Sequence, residues 1–222
     1  MTADNMLKYP ESCIVGKTIP KVAFMCHFDE RKARREMKLR FTEDIDSIVW
    51  LYKIAATTCN VEPTEDIKEL QVFLVNLKNK YCSDEVVNFV DKFLPQFIVF
   101  ILKYEDEYRL LINYKQWANR EHTVFNITAT YTTHFRCVDQ LSLPMQGQTT
   151  AQIYDNYVAQ IAGFQLTGQQ PLQEVVKQEQ RKRKLLADIK ALENAIRMEP
   201  QYNRQRELNQ HLKQLRNELK QI

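Results

Sequence analysis

Glycine is scarce in this chain: four in 222 residues, all isolated. That excludes the glycine-rich loops that cradle nucleotide phosphates and leaves little room for flexible linkers. Proline occurs only seven times. No run of about 18 apolar residues is present, so no membrane-spanning helix is expected. The polar stretch Met1 to Pro10 carries no basic-then-apolar leader pattern. The five cysteines, Cys13, Cys26, Cys59, Cys82 and Cys137, are odd in number and form no C-x-x-C pair. A disulfide framework and a zinc knuckle both lose support, and reduced thiols in a cytoplasmic protein are expected. The histidines, His27, His122, His134 and His211, stand at no metal-ligand spacing with each other or with cysteine. No metal and no cofactor is therefore expected.

Hydrophobic content of 44% and charged content of 27% belong to a folded globular chain. The net charge of +3 is too small to mark a nucleic-acid binder, but it is unevenly placed. Residues 171–222 hold 12 Lys+Arg against 7 Asp+Glu, a balance of +5. Of the 31 basic and 28 acidic residues in the chain, 19 and 21 remain for the rest, a balance of −2. A basic C-terminal segment follows a mildly acidic body.

The basic segment is also the most regular. Leu185, Ile189, Leu192 and Ile196 step by four, three and four. Leu208, Leu212, Leu215, Leu219 and Ile222 repeat the pattern. This is an a/d seam written twice. Pro200, between the runs, lacks an amide proton and disfavours helix at the residue before it. Two helices folded back as an antiparallel coiled-coil hairpin are expected over 166–222, with Tyr202 at the tip. Arg181-Lys182-Arg183-Lys184 encircles the first helix, because consecutive residues point about 100° apart. Lys182 falls on the seam by extrapolation from Ile189. The run is either a solvated segment or a contact for nucleic acid or an acidic partner. Arg197, Arg204, Arg206, Lys213, Arg216 and Lys220 continue the positive character. Tyr202, beside Arg204, is either a partner anchor or packed on Met198.

Residues 1–165 read as one α+β domain with a mixed, mostly antiparallel sheet and packed helices. Residues 1–18 show no period and read as irregular, and Val22–Met25 as a helical turn. Arg31 to Arg40 holds six basic residues and one acid. With Arg34 and Arg35 it is either a solvated helix or a phosphate-contacting patch. Alternation predicts strands over 48–54 and 70–77, a helix opened by Ser83, a hairpin of strands 97–104 and 108–114, and a Thr-rich strand over 124–135. Thr149 or Thr150 caps a further helix that Gly163 ends. The Gln/Gly/Pro stretch Phe164–Pro171 is the expected linker.

Several of these residues also stand together as landmarks. They are Ile19-Pro20-Lys21, Phe41 with Ile45, and Ser47-Ile48-x-Trp50-x-Tyr52-Lys53. Glu69-x-Gln71-Val72-Phe73, Pro95 with Ile98-x-Phe100-x-Leu102, and Ile112-Asn113-Tyr114-Lys115 follow. Asn203-Arg204 with Glu207-Leu208-Asn209 completes the set. In this the chain resembles, end to end, a bacterial domain-of-unknown-function family whose members finish in a coiled-coil hairpin. The resemblance implies neighbours of restriction-modification or phage-defence type, a helicase, DNA methyltransferase or nuclease as partner, and no catalytic residues.

Three functions are weighed on this basis. The first is a non-catalytic accessory subunit of an anti-phage or restriction-type complex, binding a protein partner and possible DNA or RNA through the basic arm. The second is a metal-dependent nuclease using Asp44, Asp46 and Glu69, although Gln71 stands where such sites carry lysine. The third is a structural homodimer joined by its arms.

Overall fold

The computed structural model describes residues 5–25, 32–119, 125–165 and 171–221, with the side chains of 32–34 left aside. Two compact units divide the chain, Met1–Gln165 and Leu166–Ile222.

The first unit is built on one seven-stranded sheet, ordered β1-β2-β3-β4-β5-β6, with the short β7 also pairing with β5. The strands are β1 (Ile14–Ile19), β2 (Ile45–Ile54), β3 (Leu70–Leu77), β4 (Phe97–Tyr104), β5 (Glu107–Trp117), β6 (Phe125–Thr132) and β7 (Arg136–Cys137). Every pairing is antiparallel except β3 with β4. A parallel step needs a crossover, and α4 (Asp84–Asp91) supplies it. Ser83 caps this helix by accepting from the Glu85 amide at 3.2 Å, and Asp84 and Glu85 sit in the positive first turn.

β1 corrects the expectation that residues 1–18 are irregular. Its pairing with β2 slips between Ile14 and Lys17, and Gly16 sits there with φ +61. The bulge breaks the two-residue alternation, and the strand is almost wholly exposed, so no apolar period betrays it.

Alternation sends the strand residues to two faces. Phe73, Val75, Ile98, Phe100, Leu102 and Leu111 pack with Val86, Val87 and Val90 of α4. Phe24 of α1 (Val22–Met25) and Phe41 of α2 (Lys32–Asp44) join that cluster. On the opposite face, Tyr114 stacks on Tyr154 of α5 (Thr150–Ala162), ring centroids 6.4 Å apart. A capping box between Thr149 and Gln152 starts α5, and Gly163, left-handed at φ 75, ends it. A one-turn helix, α3 (Ala56–Cys59), lies in the connector after β2.

One charged pair is placed inside this core. Lys115 Nζ lies 2.7 Å from Asp91 Oδ1, with side chains 1% and 0% exposed. The ammonium also donates to the carbonyls of Asp91 at 3.1 Å and Gln96 at 2.8 Å. Asn113 Nδ2 donates to Asp91 Oδ2 at 2.8 Å, and Thr130 donates to Asn113 Oδ1 at 2.7 Å. The β5–β6 register slips between Tyr114 and Lys115. The Tyr154 hydroxyl fits that slip, accepting from the Lys115 amide at 2.8 Å and donating to the Asn113 carbonyl at 2.7 Å. Burial pushes the Asp91 carboxyl up and the Lys115 amine down, while their mutual attraction opposes both shifts.

Removing one partner of such a pair leaves an uncompensated charge. Asp91→Ala is expected to lower unfolding stability by about 3–5 kcal/mol in urea titrations. Asp91→Leu combined with Lys115→Met is expected to cost clearly less than the single change. An equal or larger loss in the double variant would contradict this.

Candidate functional site

The second unit is a pair of helices, α6 (Leu172–Met198) and α7 (Tyr202–Leu219), that pack on each other as a hairpin. Glu199, Pro200 and Gln201 make the break, and the Glu199 carboxylate accepts from the Gln201 amide at 3.0 Å. Leu185, Ile189 and Leu212 are buried, and Leu192, Ile196, Leu208, Leu215 and Leu219 are half-buried. Leu172 and Val176, near the start of α6, are buried as well, and the other residues of the two helices are half-buried or exposed.

Ion pairs across the seam define two sides. Arg216 reaches Glu193 at 2.7 Å, and Arg181 reaches Glu218 at 2.6 Å. Counting about 100° per residue from the seam puts these pairs on opposite faces of the hairpin. On the Arg216 face, Tyr202, Arg206, Asn209, Lys213, Arg216 and Lys220 recur along α7 at four, three, four, three and four. The matching side of α6 carries Lys182, Arg183, Lys190 and Arg197. The helical acids on that face are Glu179 and Glu193, and each is held by an arginine: Glu179 by Arg183, Glu193 by Arg216. Lys182, Lys190, Arg197, Arg206, Lys213 and Lys220 are exposed and have no ion pair among the described residues. The other face is balanced: Lys177, Arg181, Lys184 and Arg204 against Glu174, Asp188, Glu207 and Glu218.

This sorting separates the residues singled out from sequence. Arg181 and Arg204 lie on the balanced face, bonded to Glu218 at 2.6 Å and Glu207 at 3.2 Å. Lys184 is exposed on that face, whereas Lys182 and Arg183 belong to the basic one. Lys182 is exposed rather than seated in the seam, because Leu185 and Ile189 already fill that stretch. Tyr202 and Met198 are 76% and 84% exposed, so Tyr202 is not packed on Met198. Arg35 is exposed on α2 of the first unit, where Arg40 pairs with Glu85 at 3.3 Å. The side chain of Arg34 lies outside the described residues, as do Cys26, His27, His122 and residues 166–170 of the expected linker.

The acids of the nuclease reading are not brought together. Asp46 lies at the start of β2, whereas Glu69 precedes β3 beside the far end of β2. Ile54 pairs with Leu70 there, about 26 Å along the strand from Asp46 at 3.3 Å per residue. Glu69 is bound to Lys53 at 2.8 Å and accepts from Gln71 at 2.6 Å. Asp44, Asp46 and Glu69 therefore cannot share a metal ion. No cluster of three or more metal-ligating side chains occurs among the described residues.

A family model matches residues 7–219 of the chain. The chain belongs to the family described as Domain of unknown function (DUF4391). The match spans both units, so the sheet unit and the hairpin are features of one family architecture. No curated protein and no solved structure matches the chain. Among the described residues no helix is long and apolar enough to cross a membrane.

Sequence reading missed one further feature of the first unit. A cleft of about 390 Å³ opens between β5 and α5, with Phe97, Trp117, Tyr154, Asp66 and Asp155 among its walls. The Asp155 carboxylate has neither hydrogen bond nor ion pair among the described residues, and burial raises its pKa from 3.8 to about 6. The folded chain thus holds this proton more tightly than the unfolded chain. Stability from the neutral acid is present below about pH 4 and is lost as pH rises through about 6. Asp155→Asn, which mimics the neutral form, is expected to melt above the parent protein at pH 7.5. The gap should close by pH 4, as calorimetry across that range would show; a gap independent of pH would contradict it.

Proposed function

We propose that the protein is a non-catalytic accessory subunit of a larger assembly, attached through the hairpin α6–α7 to an anionic partner. One observation carries this reading: six exposed cations share one hairpin face where both helical acids are already neutralised by arginines. Exposed charges of one sign repel, so such a face gains free energy when an opposite charge covers it. Isolated surface ion pairs contribute little to stability, so the sorting is better explained by binding than by folding.

The landmarks shared with a family encoded beside helicases and DNA methyltransferases support a setting in restriction or anti-phage complexes of the bacterial cytoplasm. In that setting a helicase, methyltransferase or nuclease partner carries the chemistry, and this chain needs no cofactor of its own. The repeated steps of four and three along the seam support coiled-coil packing, which keeps the arm stiff enough to present its charges in a fixed array.

The test is affinity purification of the tagged full-length protein from its native host, beside a variant with Lys190, Arg206 and Lys213 changed to Glu. A nucleic-acid-processing enzyme at fixed stoichiometry should come down with the parent and be depleted at least tenfold with the variant, both melting at the same temperature. A parent recovered alone, or equal recovery with both, would refute the reading.

A further inference from the structure

We infer that the basic face of the hairpin is a binding surface for the phosphate backbone of double-helical nucleic acid, read without regard to sequence. This deepens, and rests on, the reading of the hairpin as the attachment element, but it concerns the chemistry of what the face covers.

The cations form two rows. On α7, Arg206, Lys213 and Lys220 stand seven residues apart, which is about 10.5 Å at 1.5 Å per residue. On α6, Lys182, Lys190 and Arg197 follow at intervals of eight and seven. Packed helices lie about 8–10 Å apart, so the rows run side by side at that separation plus the splay of the side chains. This is of the order of the groove widths of a duplex, about 6 and 12 Å, across which two phosphate strands face each other. A single acidic peptide strand would meet one row and leave the other bare.

The extent of the array also fits. From Tyr202 to Lys220 the face is about 27 Å long at the helical rise. A duplex advances about 3.4 Å per base pair, so the face spans about eight base pairs. Two features speak for a duplex over a single strand. Single strands are held on aromatic platforms on which successive bases stack. Tyr202 is the only aromatic residue between 171 and 222, and it sits at the end of the rows rather than between them. The second feature is the pair of rows, one on each helix, which a single strand lying along one helix would leave half unused. Four of the six unpaired cations are lysines, Lys182, Lys190, Lys213 and Lys220, and as point charges these position a phosphate backbone without choosing bases.

The balanced face supplies an internal control on the same helices. Lys177 and Lys184 are exposed there too, but they stand among Glu174, Asp188, Glu207 and Glu218. If charge alone mattered, these lysines would count as much as those on the basic face.

The experiment is fluorescence anisotropy of the full-length protein with labelled 20-base-pair duplexes, one DNA and one RNA, and with a single strand of equal length, over 25–200 mM salt. Tight binding to at least one duplex is expected, with log K falling against log salt at a slope of about −5, from six phosphates at about 0.9 each. Lys190→Ala, Arg206→Ala and Lys213→Ala together should weaken binding at least tenfold and reduce the slope by about 3. Lys177→Ala with Lys184→Ala should stay within twofold of the parent. Polyglutamate added at equal charge should not compete. No duplex binding at 25 mM salt, preference for the single strand, equal loss from the two variants, or competition by polyglutamate would each overturn the inference. None of these readouts involves a partner protein, so failure here is distinct from failure to recover a complex.

Discussion

The sheet contains a single parallel step, between β3 and β4, and much of the first unit follows from it. Parallel neighbours cannot be joined by a tight turn, so the chain must leave the sheet, cross one face and return. α4 makes that crossing and brings Val86, Val87 and Val90 down onto Phe73, Phe100 and Leu102. The end of the crossing is fixed by a charge rather than by a methyl group: Asp91, the last residue of α4, meets Lys115 of β5 in full burial. Two ions inside a core are tolerable only when each is hydrogen-bonded as well as paired. Asn113, the Asp91 and Gln96 carbonyls and the Tyr154 hydroxyl complete the network from both faces of the sheet. The helix on one side and α5 on the other are thereby tied to the same two residues of β5, Asn113 and Lys115.

The hairpin obeys a different constraint. Two helices share one seam, in which Leu185, Ile189 and Leu212 are buried and Leu192, Ile196, Leu208, Leu215 and Leu219 half-buried. The remaining surface has to be soluble, which an even mixture of charges would achieve. The sequence instead sets lysine and arginine at repeating intervals on one side of both helices. Its two helical acids on that side are spent on Arg183 and Arg216. A hairpin with one basic side and one neutral side has a direction, and a ligand of matching charge can lie along only one of its faces.

Much of this is legible in the sequence. The alternation in β2 through β5 and the caps at Ser83 and Thr149 mark their elements. The matched seams and Pro200 predict a hairpin, and the two helices do pack on each other. β1 escapes because the bulge at Gly16 breaks its period and solvent covers both faces. The buried pair escapes because a lone lysine in an apolar strand reads as a strand end until its partner, 24 residues earlier, is known in space. Lys182 is misplaced by extending the heptad one turn too far. Arg181 to Lys184 draws attention as a run in sequence, yet a helix scatters consecutive residues around its axis. The residues that share a face, such as Arg206, Lys213 and Lys220, are the ones spaced by seven. Matching the faces of α6 and α7 needs the Arg216–Glu193 and Arg181–Glu218 contacts, which no periodicity supplies.

The central claim is that charge on the hairpin is sorted by face for a duplex backbone, and amine footprinting reads it residue by residue. The full-length protein is acylated at limiting reagent with and without a 12-base-pair duplex, and each lysine is quantified by peptide mass spectrometry. Lys182, Lys190, Lys213 and Lys220 should be protected several-fold by the duplex while Lys177 and Lys184 react as before. Equal protection on both faces, or protection confined to Lys177 and Lys184, would contradict the account.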